Sequence, residues 1–291
     1  MTAIKKFRKT YIEITNACNL SCSFCPKTKR PVEFMSCESF EEILFKLQNH
    51  SKYIYFHVMG EPLLHPEIDR FLELSHDYGF KVNITTNGTL INKASDKIIS
   101  KPALRQVNFS LHSFEANSIA CTMEAYLDNI FSFIQMSQRS GGISICLRLW
   151  NLTEKGRNDR NEHILRRIEH EFSLDYAIEE KLTPCNGIRL AQNIFLNQAS
   201  EFEWPDSGLE EIGSKGFCYG LRDQVAILVD GTVVPCCLDR EGAISLGNIF
   251  NQSFQSIKES ERAVRLYEGF SNRNAVEELC RKCGYRTRFG T

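Results

Sequence analysis

Two periodicities alternate along this chain. Short runs rich in β-branched and aromatic residues give way to stretches whose apolar positions recur every three to four residues, the marks of strand and amphipathic helix. Tyr11-Ile12-Glu13-Ile14 reads as a strand, and a cysteine-rich loop of residues 16–30 follows it. Residues 39–48 predict a helix with Phe40, Ile43, Leu44 and Leu47 on one face. The next strand, 53–58, is stopped by Gly60-Glu61-Pro62. A helix over 67–78 puts Ile68, Phe71, Leu72 and Ser75 on one side, and Gly79 is placed to cap it. Strands at 80–85, 106–111 and 143–149 continue the rhythm, with helices at 93–100, 123–139 and 161–172. A weaker strand pattern spans 188–194.

Six strand–helix units in succession predict a parallel sheet covered by helices, with right-handed connections. A closed eight-fold barrel takes about 250 residues. Here the repeat ends near residue 200, so the expected α/β fold is a partial (β/α)6 TIM barrel. Glu201-Phe202-Glu203-Trp204-Pro205 breaks the rhythm, which divides the chain into a core at 1–200 and a small cysteine-rich α+β domain at 201–291. That domain contains a strong turn signal, Asp230-Gly231, between strands at 225–229 and 232–234. A helix over 253–269 and a tail with Cys280 and Cys283 complete it. No internal repeat and no low-complexity tract interrupts the pattern.

Composition adds one anomaly. Among 291 residues, 42% hydrophobic and 24% charged with a net charge of −1, nothing points to disorder, nucleic acid or an anionic membrane. No run reaches the roughly 18 apolar residues of a membrane span. The start, Met1-Thr2-Ala3-Ile4-Lys5-Lys6, does not lead into a signal-peptide stretch, so a cytoplasmic protein is expected. Twelve cysteines do not fit that picture as disulfides. In a reducing compartment, clustered cysteines are metal ligands or redox groups.

Cys18, Cys22 and Cys25 occupy the loop after the first strand. Three thiolates on one loop can hold three irons of a four-iron cubane and leave the fourth open to a chelating small molecule. A structural zinc site wants four ligands, usually as two separated pairs, although a three-thiolate catalytic zinc is chemically possible. Loops at the C-terminal ends of barrel strands are also where such folds keep their chemistry.

In these residues the sequence resembles the radical S-adenosylmethionine enzymes, whose signature is CxxxCxxC with an aromatic before the third cysteine, here Phe24. Further family features follow in order. Met59-Gly60-Glu61-Pro62 ends the second strand as the family's glycine–glutamate motif does, with Met59 where a first glycine often stands. The resemblance implies that the Gly60 backbone and the Glu61 carboxylate meet the methionine amino group. Thr85-Thr86-Asn87-Gly88 ends the third strand, matching the family's TNG through Asn87. Ser110 ends the fourth and matches a polar position that meets the ribose. Arg148, at the end of the fifth, is a candidate partner of the methionine carboxylate, of substrate, or of a structural ion pair. His57 reads as a packed barrel residue in preference to a proton carrier.

The second cluster comprises Cys218, Cys236, Cys280 and Cys283. Spacing alone favours structural zinc, since CxxC pairs are common in zinc ribbons. The resemblance reverses this. Gly231-Thr232-Val233-Val234-Pro235-Cys236-Cys237, Leu246-Gly247-Asn248-Ile249 and the CxxC look like the shortened auxiliary-cluster module called twitch, related to the longer SPASM module. One auxiliary 4Fe–4S cluster held by four cysteines is therefore implied, with Cys237 the competitor of Cys236. Cys37, Cys121, Cys146 and Cys185 fit no pattern and default to small buried hydrophobes. Cys37 lies near the first cluster in sequence.

What the resemblance implies is reductive cleavage of S-adenosylmethionine at the first 4Fe–4S cluster, giving a 5′-deoxyadenosyl radical that takes hydrogen from a substrate. A fully ligated auxiliary cluster suits electron relay, so oxidation or modification at carbon is expected, with flavodoxin or ferredoxin as electron donor. The nearest shape within the family is that of 2-deoxy-scyllo-inosamine dehydrogenase, whose strand-end segment resembles residues 56–64. A peptide-modifying maturase is the alternative, although its usual N-terminal recognition domain is not expected with a first strand at Tyr11. A non-catalytic iron–sulfur or zinc protein is the reading from another class. The substrate is a small molecule or a peptide, with Trp150, Arg189, Glu203 and Trp204 as unranked candidate contacts.

Overall fold

The computed structural model describes residues 6–114, 117, 121–153, 158–181 and 187–289. Six strands lie side by side in parallel: β1 (Lys9–Ile12), β2 (Tyr53–Tyr55), β3 (Lys81–Thr86), β4 (Leu104–Ser110), β5 (Ser144–Leu152) and, one element further on, β7 (Ile194–Ser200). Helices α1 (Cys37–Leu47), α2 (Ile68–Asp77), α3 (Ile91–Ile98), α4 (Met123–Ser140) and α5 (Glu162–Glu171) fill the connections, and the short α6 (Ile178–Lys181) follows. β1 and β7 do not pair with each other, so the six strands form a partial barrel.

Local sequence explains the elements. Ser36 begins α1 by accepting a hydrogen bond from the Ser39 amide at 3.1 Å, and Thr122 does the same for α4 through Ala125 at 3.2 Å. The predicted face of α1, Phe40, Ile43, Leu44 and Leu47, is completely buried. Phe40 stacks on Phe71 of α2 at 4.3 Å between ring centroids and meets Phe56 edge-on.

Because side chains alternate across a strand, the sheet has two unlike faces. Ile12, Ile54, Val82, Ile84, Val107, Phe109, Ile145 and Leu147 belong to the main core. The alternate positions, among them Tyr11, Glu13, Asn83, Asn108, Arg148 and Trp150, turn to the barrel interior. Asn83 and Asn108 are fully buried there, with their amides donating to the Ile54 and Ile84 carbonyls of the neighbouring strands at 3.3 and 3.1 Å. Asn83 and Asn108 therefore satisfy their side-chain donors within the sheet itself.

Three expectations change. The strand pattern at 188–194 is a hairpin: β6 (Ile188–Ala191) runs antiparallel to β7, and Asn193 turns the chain with φ +60°. The sixth parallel strand thus begins where the expected one ended. The helix over 253–269 is two, α7 (Phe254–Lys258) and α8 (Glu261–Ser271), because Ser253 and Ser260 each cap a new start through the amides three residues on. The segment after residue 200 also shares the barrel's sheet. β8 (Gln224–Ile227) pairs in parallel with the free edge of β1, and β9 (Thr232–Val234) and β10 (Gly247–Asn248) continue it antiparallel. A last short helix, α9 (Glu278–Arg281), carries Cys280. Among the described residues, no helix is long and apolar enough to cross a membrane.

Candidate active site and auxiliary cluster site

Parallel strands deliver every loop that follows them to one end of the barrel. The cysteine loop leaves β1 through Glu13, a fully buried carboxylate. Its Oε1 accepts from the Met59 amide at 3.1 Å and from Arg30 Nη2 at 2.7 Å, and its Oε2 accepts from the Val229 amide at 3.1 Å. One side chain therefore joins the ends of β1 and β2, the C-terminal hairpin and the returning limb of the loop. The base of the loop is closed by Thr15 Oγ1 donating to the Glu33 carbonyl and by Asn16, which donates to the Pro31 carbonyl and accepts from the Glu33 amide, all within 2.8 Å.

Gly60 and Glu61 press against that loop. Gly60 has φ +78°, and a Cβ there would come within 2.8 Å of the Ala17 carbonyl oxygen. The Glu61 amide donates to the same carbonyl at 2.7 Å. The Glu61 carboxylate is almost completely buried and accepts from two amides, Leu63 at 3.0 Å and Asn87 at 2.7 Å. Burial raises its pKa to about 7 against those two hydrogen bonds and one from the Thr86 side chain. Glu61 thus bridges the ends of β2 and β3.

Asn87 extends the same web. Its Nδ2 donates to Asn19 Oδ1 at 2.9 Å and stands 4.0 Å from Cys18 Sγ, while its Oδ1 accepts from Thr89. Its carbonyl accepts from the buried Tyr126 hydroxyl at 2.8 Å. After β4, Asn117 reaches the loop from the other side, with Nδ2 donating to Cys22 Sγ at 3.1 Å. Sequence reasoning found neither Glu13 nor Asn117. A carboxylate interrupting an apolar strand was the available signal for Glu13; Asn117 belongs to no motif.

The interior beyond the cysteine loop is aromatic and cationic. Ser110 ends β4, and its register partner Arg148 lies in the middle of β5 and not at its end, because that strand runs on to Leu152. The Arg148 guanidinium lies 4.8 Å from the Trp150 ring centroid, and its buried Nε has no hydrogen-bond partner. His57 stands edge-on to Tyr11 at 5.2 Å, with Nδ1 also buried and unpartnered. Burial, then Arg148, pushes His57 down to about 3, so the ring is neutral as a packed residue. His112, which no motif flagged, packs at 4.8 Å against Phe24 of the cysteine signature, and burial lowers it to about 4. Trp150 Nε1 donates to Asn197 Oδ1 at 2.6 Å, and Trp204 packs in the small cluster containing Tyr11, Val58 and Met59. Arg189 and Glu203 are exposed. A cavity of about 710 Å³ lies at the opposite mouth of the barrel, among Lys52, Lys81, Lys101 and Arg105, and includes none of the motif residues.

Cys218, Cys236, Cys280 and Cys283 line one cavity together with Asp239, Phe270 and Tyr285. Burial raises all four thiols, and neighbouring thiols add to this at Cys218, Cys236 and Cys280. Arg286 holds the walls, donating to the carbonyls of Gly213, Lys215 and Cys280. Cys237 is absent from that lining. It bonds to Tyr11 on the barrel side, with burial raising it to about 11. Cys37, the first residue of α1, bonds to Glu67 just before α2. Cys121 is exposed and Cys146 half-buried on β5, whereas Cys185 lies outside the described residues.

Both sets suit iron–sulfur clusters. Burial, then Cys22 and Cys18, pushes Cys25 up to about 12, and such thiols become ligands only where a metal's positive charge drives off their protons. Among the described residues no three His, Cys, Asp or Glu side chains converge on a single ion. A cubane asks for a wider arrangement, since each thiolate binds its own iron.

The radical SAM superfamily model matches residues 12–166, and the SPASM iron–sulfur cluster-binding domain matches residues 218–284. The tungsten-containing aldehyde ferredoxin oxidoreductase cofactor-modifying protein of Pyrococcus furiosus is 35% identical over 95% of this chain and 87% of its own length. Among solved structures, BtrN in complex with AdoMet and 2-DOIA is similar over 96% of this chain and 94% of its own, with a TM-score of 0.54 at 15% identity. Streptococcus suis SuiB bound to precursor peptide SuiA covers 96% of this chain and 70% of its own, with a TM-score of 0.59 at 17% identity. The two matched domains imply 4Fe–4S clusters, an auxiliary one included, and S-adenosylmethionine. By sequence and by fold, this chain belongs to the radical SAM superfamily and carries a SPASM domain.

Proposed function

We propose that Cys18, Cys22 and Cys25 hold the cluster that binds S-adenosylmethionine, that Cys218, Cys236, Cys280 and Cys283 hold the auxiliary cluster, and that the enzyme oxidises or modifies its substrate at carbon. One observation carries this reading. The cysteine loop, Gly60-Glu61, Asn87 and Asn117 come from four different strand ends and are cross-linked into one hydrogen-bonded rim. Bound there and reduced, the cluster and S-adenosylmethionine supply a 5′-deoxyadenosyl radical able to abstract hydrogen from carbon.

The chain's own work is placement and exclusion. The Gly60 carbonyl and the Glu61 carboxylate offer acceptors to an ammonium group. Arg148 offers an unpartnered N–H and a positive charge to a carboxylate or to the substrate. Tyr11, Tyr55, Trp150 and Trp204 wall the interior with apolar surface, which keeps water from a reactive centre. Four cysteines leave no vacant iron at the auxiliary site, so its role is to carry an electron away from, or toward, the substrate, with a flavodoxin or ferredoxin as external donor. A 1–200 barrel domain and a 201–291 auxiliary domain remain our division of function, although both build one sheet. A small-molecule substrate is our first reading, supported by likeness to BtrN with 2-DOIA; a peptide substrate is the second, supported by likeness to SuiB bound to SuiA.

The test is anaerobic. Reconstituted, dithionite-reduced protein should bind about eight irons, as two cubanes require, and convert S-adenosylmethionine to 5′-deoxyadenosine. Replacing Cys18, Cys22 and Cys25 together by alanine should abolish that product and leave about four irons. No 5′-deoxyadenosine from protein with both clusters intact would return the chain to a non-catalytic iron–sulfur role. Transfer of deuterium from labelled candidate substrates into 5′-deoxyadenosine then names the carbon.

A further inference from the structure

The three thiols of the first site are not equivalently surrounded. Cys18 Sγ has the Leu20 amide at 3.5 Å and Asn87 Nδ2 at 4.0 Å. Cys22 Sγ has Asn117 Nδ2 at 3.1 Å, the shortest polar contact to any of the three sulfurs among the described residues. Cys25 accepts no hydrogen bond there; its thiol faces the Pro26 carbonyl at 3.8 Å.

The Asn117 amide has only one orientation available. Its Oδ1 accepts from the Ser21 amide at 2.8 Å, and its Nδ2 donates both to the Ser113 carbonyl at 2.8 Å and to Cys22 Sγ. Rotating the amide by half a turn would point the oxygen at a carbonyl and a sulfur, two acceptors, and the NH2 at a backbone N–H. The donor is thus locked onto the sulfur by two bonds that do not involve it. An amide does not titrate, so this donor persists at any working pH.

We infer that Asn117 sets the reduction potential of the S-adenosylmethionine-binding cluster by donating a hydrogen bond to the Cys22 sulfur. A donor aimed at a coordinated thiolate withdraws electron density and stabilises the more negative, reduced cluster, which raises its potential. Asn117 is a positioning residue in this scheme, since it acts on the cluster through Cys22. The inference rests on the reading that Cys18, Cys22 and Cys25 hold that cluster.

The test uses the full chain with both clusters loaded. Asn117→Asp preserves the acceptor for Ser21 and removes the donor, and Asn117→Ala removes both. In an EPR-monitored redox titration, the signal that responds to added S-adenosylmethionine should move to more negative potential in both variants. The auxiliary cluster's midpoint in the same sample should stay in place, and the iron content should match the unaltered protein. An unmoved midpoint with full iron content overturns the inference. If both variants lose iron, 15N-labelled asparagine decides: ENDOR of the reduced cluster should show a 15N coupling that persists in Asn87→Ser, since Asn87 is the other labelled amide beside a sulfur, and its absence there overturns the inference. The triple cysteine variant separates the two readings. An S-adenosylmethionine-responsive signal surviving in it defeats the ligand assignment, whereas a null result at Asn117 with that assignment intact defeats only the present inference.

Discussion

Glu13 concentrates three connections in one side chain, and its removal should be costly. Arg30 and Glu13 are 14% and 0% exposed at their side chains, so the pair is buried. Taking away one partner of a buried pair costs about 3–5 kcal/mol, because the other charge loses its compensation. Glu13→Ala should lower the urea midpoint accordingly and weaken iron retention at the first site, with Glu13→Gln milder because an acceptor survives. His57 and His112 give a second test at this scale. Both fold with pKa depressed by burial, to about 3 and about 4, whereas an unfolded histidine protonates near 6.5. The stability from keeping them neutral is complete above pH 6.5 and is lost as pH falls toward 4 and then 3. The loss is about 1.4 kcal/mol per pH unit for each ring. Metal-free protein kept reduced should therefore unfold at lower urea at pH 5.5 than at 7.5, and His57→Phe should remove part of that difference, since burial also depresses His50 and His65 while it raises Glu61, which acts with the opposite sign.

Among the elements, the turn after β2 has the strictest demand. Left-handed backbone at Gly60 costs about 1–2 kcal/mol for any residue with a Cβ, and here the added atom would also drive into the carbonyls of the cysteine loop. Gly60→Ala should therefore displace the loop, leaving the auxiliary irons in place while those of the first site are lost. Total iron falling to about half, with the auxiliary cluster's spectrum retained, is the expected readout. The same reasoning shows why some boundaries were legible and others were not. α1 and α4 announce themselves through capping side chains and a clean apolar face. The break between α7 and α8 was legible in principle, as Ser253 and Ser260 are both good N-caps, but the apolar spacing runs through it. The β6–β7 hairpin was not legible, because its turn rests on Asn193 in a conformation non-glycine residues seldom adopt.

Over the whole molecule, the C-terminal segment is wall and sheet edge as well as cluster carrier. β8 extends β1, while Trp204 and Cys237 face the interior that β1 and β2 begin. Two adjacent cysteines consequently have different surroundings. Cys236→Ala should remove the auxiliary cluster and about four irons, whereas Cys237→Ala should keep both clusters and about eight. Equal iron loss in the two variants would show that the thiols share ligation. The spacing of the resembled module favours Cys236, and the direction of the strand end that carries the two neighbours supplies the physical reason.

By itself the amino-acid sequence determined the alternation of strand and helix, the parallel sheet and the two groups of cysteines, because periodicity and ligand spacing are properties of contiguous residues. It also marked Gly60, Glu61, Asn87 and Ser110 at or just past strand ends, whereas Arg148, expected at one, lies within β5. Tertiary structure alone decided what those positions touch. Glu13 gathers partners from residues 30, 59 and 229, and Asn117 reaches a sulfur 95 residues away in the chain. Such contacts depend on how strands stack in space, and hydrogen bonds between distant loops leave no periodic trace in the chain that makes them.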